Sequence, residues 1–232
     1  VAKLLPDYKL KLDQVLEDLS GALTDTKKEA AIQEAVVWHS RHEPQEKLQD
    51  LAGDGTTAEF AVASDFVQGL STVRSIEYPQ GKRPPEYLEK HDDFLLYRKP
   101  TGLFHQFLTV PASAKVARVT YTALHVVSAT AGTVPDHRFD AVCTLAAAVS
   151  CQWLANRFSQ QGDSTIGADS VDHKSKAAEY ASRARELERT YMKALGITDL
   201  GGPPAASATR DWDQGYPFGI DRLTHPRKGW DA

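Results

Sequence analysis

Pro135-Asp136-His137-Arg138-Phe139-Asp140-Ala141-Val142-Cys143-Thr144-Leu145-Ala146-Ala147-Ala148-Val149-Ser150-Cys151-Gln152-Trp153-Leu154-Ala155-Asn156-Arg157-Phe158 is the stretch that sets the architecture. Asp136 can cap a helix running from about His137 to Phe158. Phe139, Val142, Ala146, Val149 and Trp153 recur on one face of it. Ala141, Ala146, Ala147, Ala148 and Ala155 are small enough to admit a close helical neighbour. The apolar run around Ala141–Val149 is about half of what a membrane span needs.

C-terminal to this helix, 162–171 reads as a polar loop, and a second long helix is expected over about 175–195. Tyr180, Ala184, Leu187, Tyr191 and Leu195 form its stripe, and Gly196 is a natural stop. N-terminal to it, the first third is also helical. Asp7 is read as the cap of a short helix carrying Leu10, Leu12, Val15, Leu16 and Leu19. Thr24 or Asp25 caps a second, with Ala31, Ile32, Ala35, Val36 and Trp38 as its stripe, ending before Pro44.

Between these helical parts the period changes to two. Strands are expected at Glu59–Val62, Ser71–Tyr78, Phe94–Tyr97, Leu103–Leu108 and Ala117–Thr122. Asp54-Gly55 reads as a tight hairpin turn, and Phe66–Gly69 as a helical turn. Pro100-Thr101-Gly102 and Pro111-Ala112-Ser113 supply further turns. Gly81-Lys82-Arg83-Pro84-Pro85 is a loop, because two prolines cannot feed a ladder. The expected class is α+β: a helical bundle core with one inserted antiparallel β-sheet region of four to six strands, and an extended C-terminal arm. The boundaries are an N-terminal helical hairpin at 1–44, the β-rich insertion at 45–134, a long helical hairpin at 135–196 packing on the N-terminal helices, and the arm at 197–232.

The whole chain of 232 residues is 41% apolar and 25% charged, with a net charge of -4, which excludes disorder throughout, collagen and a membrane bundle. No apolar signal-peptide core follows the first lysine, and Val1 fits removal of an initiator Met or an artificial chain boundary. Two cysteines fit a reduced interior better than a disulfide scaffold; eight residues apart on one helix, they cannot pair within it. Weak acidity argues against generic wrapping of nucleic acid. The charge is uneven: 13 acids and 7 bases over 1–65, against 5 acids and 8 bases over 66–135. That asymmetry permits head-to-tail contact between copies.

No phosphate loop, nucleophile elbow or zinc cysteine set is present in the sequence. His39, His42 and Glu43 lie at one helix end but lack a third spaced ligand, and they read as solvated polar residues. Asp169, Asp172 and His173 precede a helix and suit its free amides better than catalysis. Cys143 with His125 or His137 would be a nucleophile pair without further support. No catalytic residue, metal or cofactor is therefore expected. Lys82 and Arg83, beside Lys90, Arg98 and Lys99, suit an acidic neighbour or a phosphate as well as plain solvent. Trp212, Tyr216, Phe218 and Trp230 follow Gly201-Gly202-Pro203-Pro204 and are spaced as anchors of an arm on a partner surface.

Several linked phrases carry a resemblance: Phe66-Val67-Gln68-Gly69-Leu70-Ser71-Thr72-Val73-Arg74-Ser75-Ile76-Glu77-Tyr78-Pro79, Pro84-Pro85-Glu86-Tyr87-Leu88, Val119-Thr120-Tyr121-Thr122-Ala123-Leu124-His125, and Asp163–His173 leading into Lys176 and Tyr180. Over about residues 1–196 the chain resembles the head–tail adaptor (connector, head-completion) proteins of tailed-bacteriophage necks. The resemblance implies a non-enzymatic virion protein, a homo-oligomeric and dodecameric ring, and a channel through which DNA passes. Its partners would be the portal protein and the next neck or tail protein, with only non-specific contact to channel DNA, no membrane, and assembly in the host cytoplasm. Lys82, Arg83, Tyr87, Trp212, Tyr216, Phe218 and Trp230 are the expected intersubunit or partner contacts. Another tail-completion or baseplate protein and a soluble enzyme with an unrecognised site stay open as alternatives.

Overall fold

The computed structural model describes residues 3–17, 23–160 and 176–197. Helix α1 spans Leu5–Leu16, α2 Asp25–His42, α3 Phe139–Ser159 and α4 Lys176–Ala194. Six strands lie between α2 and α3: β1 Gln45–Ala52, β2 Glu59–Ala61, β3 Val73–Glu77, β4 Phe94–Lys99, β5 Gly102–Phe107 and β6 Val116–Ala123. The class is α+β, as the change of period indicates. Contacts divide the chain into one unit through Leu195 and a second from Gly196, and the expected arm beyond Ile197 lies outside the described residues.

Asp7 is not the cap of α1. Pro6 opens the first turn, and Asp7 stands at the third helical position, where its carboxylate accepts the Leu4 N–H at 2.9 Å. The buried face is Tyr8, Leu12 and Leu16, while Leu10 stays exposed. In α2, Thr24 caps as expected, its hydroxyl accepting the Lys27 N–H at 3.4 Å. A single-turn 3-10 helix at Asp136–Arg138 leads into α3.

Helix α3 does not have one apolar face. Ala141, Val142, Cys143, Leu145, Ala146, Ala147, Ala148, Ser150, Cys151, Leu154 and Ala155 are buried around nearly its whole circumference. Helices α1, α2 and α4 all pack on it, and a helix apolar on all sides belongs at the centre of a bundle. Phe139, Val149 and Trp153, expected on the core face, are only half-buried. Of the expected α4 stripe, Ala184, Tyr191 and Leu195 are buried, and Tyr180 and Leu187 are half-buried. Phe158 and Tyr180 stack at 5.4 Å between α3 and α4. The Arg183 guanidinium donates to the Val15 carbonyl of α1 at 2.6 Å.

The six strands form two antiparallel sheets rather than one, with orders β1-β6-β3 and β2-β5-β4. Two connections, one expected as a tight hairpin turn and the other as a turn, are crossings between the sheets. Asp54 accepts the N–H groups of Thr56 and Thr57 at 2.8 and 2.6 Å, an Asx turn that redirects the chain from β1 to β2. Pro111-Ala112-Ser113 carries it from β5 to β6. There Gly53 comes so close that a Cβ would lie 2.5 Å from the Ala112 carbonyl oxygen. Pro100-Thr101 is a true hairpin turn between β4 and β5. The sheets share one core: Leu51, Ile76, Ala117, Val119, Tyr121 and Ala123 from the first meet Phe94 and Phe107 from the second, with Phe60 edge-on to Phe107 at 5.6 Å.

Candidate interaction surface and the joint behind it

The loop expected to touch a partner is held at both ends. From β3 the chain runs out through Pro79–Pro85 and returns along β3: Glu77 bridges Tyr87, Tyr78 N–H donates to the Glu86 carbonyl at 3.0 Å, and Leu88 N–H to the Ile76 carbonyl at 2.8 Å. Gln80 N–H is held by the Val116 carbonyl at 2.9 Å, and Gly81 N–H by the Glu77 carboxylate at 2.8 Å. Leu88 packs on the sandwich core. The segment is thus a finger of fixed shape, whose ordering cost is met by the fold itself rather than at a partner.

Of the three residues expected here, two are free to act. Tyr87 is 59% exposed. Arg83 is exposed and has no ion pair among the described residues. Lys82 instead pairs with Glu86 within the finger. Lys90 and Arg98 are also exposed, without an acidic partner among the described residues, whereas Lys99 pairs with Glu59 and lies over the rings of Tyr97 and Phe104 at 6.0 and 5.6 Å. Sequence reading did not single out Arg74. It sits where the β3–β6 register slips between Val73 and Ser75, and its side chain is exposed. Trp212, Tyr216, Phe218 and Trp230 lie outside the described residues, as do Asp169, Asp172 and His173.

Behind the sandwich, a buried polar cluster joins it to the helices, and this overturns the reading of His39 as solvated. His39 is fully buried and stacks on His125, ring centroids 5.6 Å apart. Its Nδ1 lies 3.1 Å from the Tyr191 hydroxyl of α4. Burial, then the neighbouring His125, lowers its pKa to about 4. His125 stands two residues past the end of β6, and its backbone N–H donates to the Ser40 hydroxyl of α2 at 2.9 Å. Glu43 pairs with Arg138 at 2.5 Å, and Arg138 also donates to the Ala194 carbonyl at the end of α4 at 2.8 Å. His42 alone of the trio is exposed. The signal that places His39 inside is its spacing: it follows Ile32, Ala35 and Val36 on the buried stripe of α2.

The cysteine pairing has no structural support. Cys143 is buried in α3, and burial, helped by Asp140, pushes its thiol up to about 12, opposite to what a nucleophile requires. His125 is engaged by Glu43 and Thr133 instead. Among the described residues no group of three His, Cys, Asp or Glu side chains could hold a metal ion, and no helix is long and apolar enough to cross a membrane.

No protein-family model matches the sequence, and no curated protein matches it. Among solved structures, the chain is similar to one from "Neck of empty GTA particle computed with C6 symmetry", at 15% identity and a TM-score of 0.30 over 88% of this chain and 97% of that one. It is likewise similar to one from "Neck of native GTA particle computed with C12 symmetry", at 14% identity and a TM-score of 0.29 over the same shares. Neither backbone is close enough to assign a role to this chain.

Proposed function

We propose that the chain is a structural protein of the neck of a phage-like particle. Its copies join head to tail in a ring that connects the portal to the next neck or tail component around a DNA path. The role is mechanical. The observation that carries this reading is the convergence of three separated phrases that resemble neck proteins. Residues 66–79, 84–88 and 119–125 meet at one sheet: β3 pairs with β6, and Tyr87 on the returning segment bridges Glu77 of β3. Phrases that share a sheet act together in shaping one surface, and the finger bearing Arg83 and Tyr87 is that surface.

In this reading the finger meets a neighbouring subunit, and residues 201–232, with Trp212, Tyr216, Phe218 and Trp230, dock on another. A heterologous contact of this kind closes into a ring when its rotation closes. The cations of the finger give loose attraction to channel DNA without base readout, because Lys82 and Arg83 stand on a loop and not on a helix that could enter a groove. Cryo-electron microscopy of native particles is the test. The expected result is a closed ring at the neck with the finger at the subunit junction. Particles that lack the chain, or that carry it away from the neck, would overturn the reading.

A further inference from the structure

The stacked histidines have a proton inventory that their surroundings decide. In His125, Nε2 lies 3.0 Å from the Glu43 carbonyl oxygen and Nδ1 lies 3.0 Å from the Thr133 carbonyl oxygen. A carbonyl only accepts, so in either neutral tautomer one ring nitrogen aims a lone pair at an oxygen. The Thr133 hydroxyl, 3.3 Å from Nδ1, offers a longer alternative donor for one tautomer alone. Only the imidazolium satisfies both carbonyls. His39 is placed differently. Its Nδ1 faces the Tyr191 hydroxyl, which can donate, and its Nε2 has no hydrogen-bond partner among the described residues; the Glu43 carboxylate is 3.9 Å away and already holds Arg138.

We propose that this joint between the helices and the β-sandwich holds one proton, carried by His125, and that a second proton, forced onto His39, separates the two layers. Protonated His125 ties the end of α2, at Glu43, to the strand-like segment at Thr133. A charged His39 would face the charged His125 ring across 5.6 Å, with Arg138 close by and its own charge fully buried. The groups facing the pair are His42 and Glu43 from α2 and its end, Arg138 from the 3-10 turn, and Tyr191 from α4. Burial holds the pKa of His125 below its ordinary 6.5, and the Glu43 and Thr133 carbonyls offset only part of that, so the first proton arrives only as pH falls below neutrality. For His39 burial and His125 act in one direction. The joint therefore tolerates the first proton and is opened by the second.

The experiment is an NMR titration of the full chain labelled with 15N histidine, from pH 8 downward, with resonances assigned through His39→Phe and His125→Asn. The expected result is that both His125 nitrogens become protonated while the amide spectrum stays native, and that His39 stays neutral until the native spectrum is lost. A native spectrum with His39 charged, or His125 neutral up to unfolding, overturns the proposal. In His39→Phe the acid-unfolding midpoint should fall by roughly one pH unit, since the group that resists charging is gone; an unchanged midpoint overturns it too. Should that variant not fold, the wild-type spectra decide alone, His39 being assigned from its contact with Tyr191.

Discussion

Tyr121 donates its phenolic hydroxyl to Asp65 at 2.6 Å, reaching from the sandwich core into the loop after β2, where Lys47 of β1 holds the other carboxylate oxygen at 2.5 Å. One carboxylate thereby ties the first sheet to the segment that leads out of the second. Tyr121→Phe removes that bond while keeping the ring. The expected cost is about 1.5 kcal/mol, the range for a hydrogen bond to a charged group. A urea midpoint equal to wild type would refute it.

Acid should act in two windows. His39 and His105 are buried, and burial lowers each to about 4 from 6.5. Both prefer the neutral form when folded, so their contribution is complete above about pH 6.5 and is lost as pH falls toward 4. Asp65 is held below its ordinary 3.8 by Lys47 and then Tyr121; its contribution is present above that value and lost as pH falls further. Stability measured by urea unfolding should decline from about pH 6.5, and Asp65→Asn should remove only part of the loss below about pH 4. A flat profile between pH 7 and 5 would contradict the first window.

Gly53→Ala should destabilise by about 1–3 kcal/mol, as expected of overpacking that moves backbone. The new Cβ would meet the Ala112 and Pro111 carbonyl oxygens at 2.5 and 2.9 Å, and neither is a flexible side-chain end. Calorimetry with an unchanged Tm would show that the crossing loop yields freely.

Arg83→Glu with Tyr87→Ser should leave folding within about 0.5 kcal/mol of wild type, because both side chains are exposed and neither closes a contact in the finger. Incorporation into particles should fall steeply. Normal incorporation would remove the finger from the interface. Deleting residues 201–232 should likewise preserve helical circular dichroism and weaken incorporation.

Cys143 and Cys151 should resist alkylation in the native chain and react once it is unfolded in urea, since both thiols are buried and burial raises both. Rapid native labelling of either would place it at the surface.

Four helices, most strands and the proline loop were legible in the sequence because each rests on local chemistry. A hydroxyl at Thr24, a stripe from Tyr180 to Leu195, and alternation along β6 need no distant partner to be read. Strand β1 escaped notice because Leu48 points outward and Leu51 inward, so neither face carries an apolar row; its register comes from β6. The division into two sheets was equally invisible, since Asp54-Gly55 and Pro111-Ala112-Ser113 serve hairpins and crossings alike, and only core packing chooses between them. The candidate finger could be located from its prolines and cations, but not which cations are free: Glu86 claims Lys82 and leaves Arg83. The buried joint shows the limit most plainly. His39 stands on an apolar stripe that the sequence displays, whereas His125, Arg138 and Tyr191 are brought to it from 86, 99 and 152 positions away. Sequence spacing decides which side of a helix a residue occupies, and the tertiary structure alone decides what it meets there, because that contact is made by chain segments with no local relation to one another.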